Sequence, residues 1–397
     1  MIPSKKIFFS LLTILLLISS GGHPLLQLAE ERYEDSVFKL DSINRSITQE
    51  YTLHDPIRVH NDEELAAVAN RGVGSANDPY IIAGWDITGS PTDGIYITGT
   101  TKHFRIENCR VYDCEIGIAV ESIYSGSVTV TNNTCTNNIL YGIYIDYSEI
   151  SNITANFCSY NGNFDNDGSG IYLSYSVSLT VTNNTCCYNE DGIELLYCSY
   201  SIIANNFCND NRDNGISPWY SGSSILANNT CNNGLVGIEL YGSQSSTVVN
   251  NICINNSNGI DFRASGSSLL TNNTCSSNNE YGINLEGSSS SNITDNICNS
   301  NGNSGIALYF SGSSILSNNT CSNNYDYGIS LIYSSSETLI NNICSNNGKG
   351  DIYIITGGTA QDTTTTTTTR EPSIVDRLFL FLIVIGLLLI IVWIKKD

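Results

Sequence analysis

The chain is poor in the side chains on which most acid–base and soft-metal chemistry depends. It has four histidines, none after His103, and a single methionine, Met1. Anything built beyond residue 103 therefore has no imidazole for general acid–base or triad chemistry. No two of its 14 cysteines are spaced Cys-x-x-Cys, so a soft-metal site would have to be assembled from other thiols. Positive charge is also scarce. Lys and Arg number 17 against 38 acidic residues, giving a net charge of −21 and a pI near 4.4. That balance argues against nucleic acid and against an anionic membrane surface as partners. Charged residues make up only 14% of the chain, while the 41% apolar fraction supports a large core. The acidity is read as solubility at a cell surface.

The two ends set the expected compartment. Lys5 and Lys6 precede an apolar run from Ile7 to Ile18, and small residues follow to Gly22. This is the layout of a secretory signal, assigned to residues 1–24, with an uncleaved anchor as the alternative. Near the other end, Leu378 to Ile394 is 17 residues without a charge, at the lower limit for a membrane-spanning helix. Lys395 and Lys396 follow and place the three-residue tail, 395–397, in the cytoplasm. Seven threonines, Thr363 to Thr369, cannot bury a core and read as a stalk within 358–377. Residues 25–78 are left as an N-terminal cap and 79–357 as the body. The expectation is a single-pass protein with its body outside the cell.

A repeat decides the fold. Gly-Ile occurs eleven times from Gly94 to Gly328, at steps of 22 to 28 residues. Cysteine recurs ten times from Cys135 to Cys344, each with Asn two residues before it. Asn also stands three residues after the cysteine in nine of the ten cases, the exception being Gly234. After Gly-Ile the chain alternates with period two, as in Ile238-Glu239-Leu240-Tyr241, which means strand. The prediction is an all-β, right-handed, single-stranded parallel β-helix of about 11–12 coils of 22–23 residues, with rungs about 4.8 Å apart and a C-terminal transmembrane helix. Ile, Leu and Cys form inward columns, Asn forms amide ladders, and the glycine serves a bend that a Cβ would obstruct. In the first full rung Val111 takes the cysteine place, and Cys109 and Cys114 take the two Asn places. A finer period spans two coils: the residue before the core cysteine alternates Thr134, Phe157, Thr185, Phe207, Thr230, Ile252, Thr274, Ile297, Thr320, Ile343.

These repeats, with the opening segment Asn77-Asp78-Pro79-Tyr80-Ile81-Ile82-Ala83-Gly84-Trp85-Asp86-Ile87, resemble the NosD-like, pectate-lyase-like superfamily of parallel β-helix proteins. The segment and the two termini are similar to archaeal-type membrane-anchored surface proteins. The resemblance covers about residues 55 to 357 and implies the fold. For activity it implies a choice among lyases, hydrolases, metal-maturation proteins and adhesins. The clustered aspartates, Gly-His-Gly and Arg-x-Lys of polygalacturonase-like relatives do not occur here. Lyase chemistry would want a basic residue beside calcium-binding carboxylates; in the later coils only Arg212 and Arg263 are candidates for the base, and neither has an obvious acidic cluster of that type. The scarcity of His and Met speaks against a copper role. No catalytic residue is assigned and no cofactor is required.

Ten cysteines fall on one ladder and are expected as free, buried thiols, because parallel Cβ vectors suit a disulfide poorly. Cys187 and Cys198 lie off that ladder and are left open to bridging or reaction. Asn163, Asp165 and Asp167 precede Gly168 like the start of a calcium loop, but the closing acid is missing, so Ca2+ stands beside a plain polar turn. Sequons occur at Asn44, Asn132, Asn152, Asn183, Asn228, Asn255, Asn272, Asn292 and Asn318, read either as glycan acceptors or as incidental turn chemistry. Finally, strand alternation directs two columns outward. One holds Glu194, Ser217, Glu239, Asp261 and Asn284; the other holds Trp219, Tyr241, Arg263, Glu286 and Tyr309. Aromatic rings beside carboxylates and a guanidinium suit sugars, though an ordinary solvated strand face is also compatible. The leading expectation is a surface module that contacts glycans or other surface proteins. A carbohydrate-active enzyme comes second and a metal-handling protein third.

Overall fold

The computed structural model describes residues 50–89, 91–148, 151–162, 168–355 and 364–367. Two units divide between Tyr51 and Thr52, and of the first only Glu50 and Tyr51 are described. The second is a right-handed parallel β-solenoid. Its largest pairings are a 13-stranded sheet, from Ile57–Val59 to Gly350–Ile355, and a 14-stranded sheet that includes every strand from Tyr80–Ala83 to Thr338–Ser345 on that face. A third, 5-stranded sheet runs from Thr52–Leu53 to Phe157–Ser159. Isolated parallel bridges carry its register onward, from Phe157↔Thr185 to Ile297↔Thr320.

The columns foreseen from the repeat are present. Ile238, Leu240, Val248 and Cys253 of one coil are all fully buried. The cysteines stack in register, Cys135 on Cys158 and Cys321 on Cys344. The repeat glycine is required by close approach: a Cβ on Gly237 would lie 2.6 Å from the Gly259 carbonyl oxygen and 2.8 Å from the Cys253 Cβ. In a stack of identical rungs each glycine makes room for the next.

Two asparagine ladders bind rung to rung. Asn251 is typical. Its amide nitrogen donates to Leu226 O at 2.9 Å and to Asn273 Oδ1 at 3.0 Å. Its Oδ1 accepts the Asn229 backbone N–H at 2.9 Å and the Asn229 side-chain amide at 3.0 Å. The second ladder runs through Asn138, Asn161, Asn189 and Asn211 and resumes at Asn256, and at the break the Gly234 N–H donates to Asn256 Oδ1 at 2.9 Å. Cys109 and Cys114 join these ladders through their backbone N–H groups, which donate to Asn133 and Asn138.

A serine ladder, not anticipated from the sequence, follows the Gly-Ile strands. The Ser221, Ser243 and Ser265 N–H groups each donate to the next serine hydroxyl at 2.9 Å. Cys198 occupies a place in this ladder, with its N–H donating to Ser221 Oγ at 2.8 Å. It is fully buried, and Cys187 is 1% exposed. Neither is joined in a disulfide, and burial encloses both. Burial pushes the Cys198 thiol up to about 12 and raises Cys135, Cys186, Cys231, Cys275 and Cys321 well above the ordinary range.

The solenoid begins earlier than residue 79, since Thr52–Leu53 pairs with the strand at Trp85 and Ile57–Val59 pairs with Ile95–Thr98. Between them helix α1, Asp62–Val68, packs against Ile57–Val59 and Tyr80–Ala83 and buries Leu65. Asn61 caps it by accepting the Glu64 N–H, and Asp62, Glu63 and Glu64 in the first turn suit the positive end of the helix dipole. At the far end, Thr364–Thr367 of the threonine tract pairs parallel with Thr338–Ser345. The signal (1–24), the rest of the stalk and the Leu378–Ile394 segment lie outside the described residues. Among the described residues no helix is long and apolar enough to cross a membrane.

Candidate functional site

The two outward columns sit on the 13-stranded sheet in the register expected of them. Trp219 pairs with Tyr241, Tyr241 with Arg263, Arg263 with Glu286, and Glu286 with Tyr309. Beside them Glu194 pairs with Ser217, Glu239 with Asp261, and Asp261 with Asn284. The columns differ in exposure. Trp219, Arg263 and Glu286 are exposed and Tyr241 and Tyr309 half-buried. The inner column, foreseen as exposed, is closed over from Ser217 onward, where Asp261 is 0% exposed, Ser217 1%, Glu239 7% and Asn284 8%, while Glu194 is half-buried.

The reason is the row before each glycine. Asn214, Val236, Asn258 and Tyr281 flank the inner column on its other side. The Tyr281 and Tyr309 hydroxyls meet at 2.8 Å, joining the two flanks. Arg263 also folds inward. Its Nη2 donates to Asp261 Oδ2 at 3.0 Å, and its Nε lies 3.6 Å from Glu239 Oε1. It thus relieves the repulsion expected between those stacked carboxylates. Asn284 adds a bond to Asp261 Oδ1 at 2.9 Å. Burial raises Glu239, Arg263 opposes that, and Asp261 adds to it.

Three atoms in this region are buried without a hydrogen-bond partner: Asn214 Oδ1, Ser217 Oγ and Asn284 Oδ1. Upstream, burial pushes the Asp191 carboxyl up to about 8, with Glu194 adding to the rise. The Asn214 N–H donates to Asp191 at 2.8 Å, and Ser169 donates to Glu194 at 3.0 Å. Burial and the neighbouring Glu194 thus both favour the protonated form of Asp191. Asp191 and Asn214 were missed in the sequence, where only positions after the Gly-Ile isoleucine were considered.

An aromatic column adjoins the strip, four residues after each isoleucine. Tyr147, Tyr175, Tyr197 and Tyr220 stack with centroids 4.8–5.2 Å apart, each exposed and each at positive φ. Bulky side chains seldom adopt that backbone conformation. The column breaks at Gly242, Ala264 and Gly287, then resumes with Phe310 stacked on Tyr333. The break is three rungs, roughly 14 Å at the usual strand spacing. Trp219 and Tyr241, stacked at 5.1 Å, stand at one end of it and Tyr309 and Phe310 at the other. Arg263 and Glu286 border its middle.

The sequon asparagines Asn132, Asn152, Asn183, Asn228, Asn272, Asn292 and Asn318 are exposed and Asn255 is half-buried. Asn44 and the calcium-loop residues Asn163, Asp165 and Asp167 lie outside the described residues.

A family profile described as the right-handed beta helix region matches residues 68–158 and 160–290, more than half of the chain, which therefore belongs to the right-handed β-helix family. A profile described as periplasmic copper-binding protein (NosD) matches residues 236–366. The A-module of mannuronan C-5 epimerase AlgE6 from Azotobacter vinelandii is similar in structure at 14% identity and a TM-score of 0.57, over 74% of this chain and 90% of that one. The AlgE4 A-module of the same organism matches at 15% identity and a TM-score of 0.54, over 71% and 89%. At such identity the likeness is one of fold. No curated protein matches the chain in sequence. Among the described residues no group of three or more His, Cys, Asp or Glu is placed to hold a metal. Thirteen of the 14 thiols are buried in the apolar core, Cys187 being buried outside it.

Proposed function

We propose that this chain is a cell-surface β-helix protein that binds an extended glycan along the 13-stranded sheet, in the break of its aromatic column. One observation carries the reading. Side chains are small for three rungs at Gly242, Ala264 and Gly287, while aromatic rings stand at both ends. The length, roughly 14 Å, suits two or three linked sugars. Rings meet the apolar faces of sugars, and Arg263, Glu286 and the half-buried tyrosine hydroxyls meet their hydroxyl groups. The fold family is compatible with such a role, and the expected signal, stalk and anchor would present the body outside the cell. A glycan array with the purified protein tests this. Trp219→Ala with Tyr241→Ala should abolish the strongest signal, and unchanged binding by a folded double variant would refute the reading.

A second reading, a carbohydrate-active enzyme, is favoured by the Asp191–Glu194 pair. A proton-bearing carboxyl beside a second carboxyl is what acid-assisted cleavage of a glycosidic bond requires. New reducing or unsaturated ends from a bound polysaccharide, lost in Asp191→Asn, would support it.

A further inference from the structure

The two-coil period acquires a physical meaning at one turn. Asn132, Asn183, Asn228, Asn272 and Asn318 occupy the same corner on alternate rungs, with φ between 54° and 56°. Asparagine tolerates that left-handed conformation, so the turn by itself accounts for Asn. The intervening rungs hold the same conformation with Ala155, Asn205, Asn250, Asp295 and Asn341. The turn does not account for the threonine two residues later. Thr134, Thr185, Thr230, Thr274 and Thr320 are half-exposed and alternate in register with Phe157, Phe207, Ile252, Ile297 and Ile343. The column thus accepts a large apolar residue at every second rung, and packing does not call for threonine.

Duplication of a two-coil unit explains how the alternation arose but not why its solvent-facing pair persists. All five copies keep Asn-Asn-Thr-Cys, in which the second Asn and the Cys are core ladder residues. The residue two positions after the threonine drifts through Thr136, Cys187, Asn232, Ser276 and Ser322. The outer Asn and Thr are held as firmly as the core. Rung spacing gives a reason for skipping coils. Neighbouring rungs lie roughly 4.8 Å apart, too close for two attached sugars, whereas roughly 9.6 Å accommodates them.

We infer that these five asparagines are N-glycosylation acceptors that form a single line of glycans along the solenoid. Each side-chain amide nitrogen would form a C–N bond to the anomeric carbon of a lipid-linked oligosaccharide. The C–O bond to the lipid phosphate breaks, the lipid phosphate leaves, and the amide gives up one proton. The line runs along the corner between the 14-stranded sheet and the third sheet, because Asn132 lies between Val128–Thr131 and Thr134–Thr136. It leaves the 13-stranded sheet uncovered, and it stands or falls independently of glycan binding there.

The test is glycopeptide mass spectrometry of the full chain from its native source. Sugar on three or more of the five asparagines is expected; sugar on two or fewer overturns the inference. Thr230→Ile places on that rung the residue already carried by its neighbour at Ile252. It should keep the melting temperature within a few degrees and lose the glycan at Asn228 alone. Retention of sugar at Asn228 in that variant would also overturn it.

Discussion

Replacing Asn251 by alanine tests how the coils are held together. The side chain takes part in four buried hydrogen bonds, two donated and two accepted. Its removal strands the Asn229 backbone N–H and one hydrogen of the Asn229 amide, whose other bond, to Ile203 O at 2.9 Å, survives. Leu226 O loses its side-chain donor as well. Each buried donor left without a partner costs about 1–3 kcal/mol, so with two donors stranded the variant should lose about 2–6 kcal/mol. Cys253→Val, two residues away, is the control. Its thiol is fully buried and its hydrogen-bond partners are the Cys231 and Cys275 thiols, weak donors outside the amide ladder, so the swap should cost less than about 1.5 kcal/mol. Urea denaturation of the chain ending before Leu378, followed by circular dichroism, ranks the two. A loss for Asn251→Ala equal to or smaller than that for Cys253→Val would refute the argument that amide ladders join the rungs.

Other outcomes follow from the same geometry. Thiol titration of denatured protein should find all 14 cysteines free, whereas the folded protein should react slowly if at all; a majority already oxidised would contradict the buried ladder. Asp191 binds its proton more tightly when folded than when unfolded. Its contribution to stability is therefore full below about pH 4 and is lost as pH rises towards about 8. Asp191→Asn should raise the denaturation midpoint at pH 8 and change it little at pH 4, and an equal effect at both would refute the raised carboxyl. Truncation before Leu378 should release a β-rich protein into the medium, and a product that stays with the membrane would refute the proposed anchor.

Much of the fold was legible because a solenoid repeats its constraints. Gly237, Ile238, Asn251 and Cys253 each recur at one place per coil, and every such place is a column in which like must stack on like. The serine ladder escaped notice because serine is also abundant on the surface, so Ser221 and Ser243 do not stand out as Cys253 does. Cys198 stands off the cysteine ladder because it substitutes in the serine ladder, its N–H donating to Ser221 Oγ. The strip was legible in register but not in exposure. Alternation tells which way Asp261 points, but not that Arg263 folds over it or that Tyr281 and Tyr309 join their hydroxyls above the next rungs. Nor does sequence alternation show that Tyr147, Tyr175, Tyr197 and Tyr220 hold left-handed turns in one stack.

The proposed binding face is tested most directly by filling the break in the aromatic column. Ala264 has φ 50°, within the range of the four stacked tyrosines, so tyrosine can be carried there at little cost to the fold. Ala264→Tyr removes no proposed contact and places a ring in the centre of the gap. Titration calorimetry with the glycan selected on the array should show tight binding to the original protein and at least a tenfold loss in the variant, with unchanged circular dichroism. Equal affinity for both proteins would contradict the account.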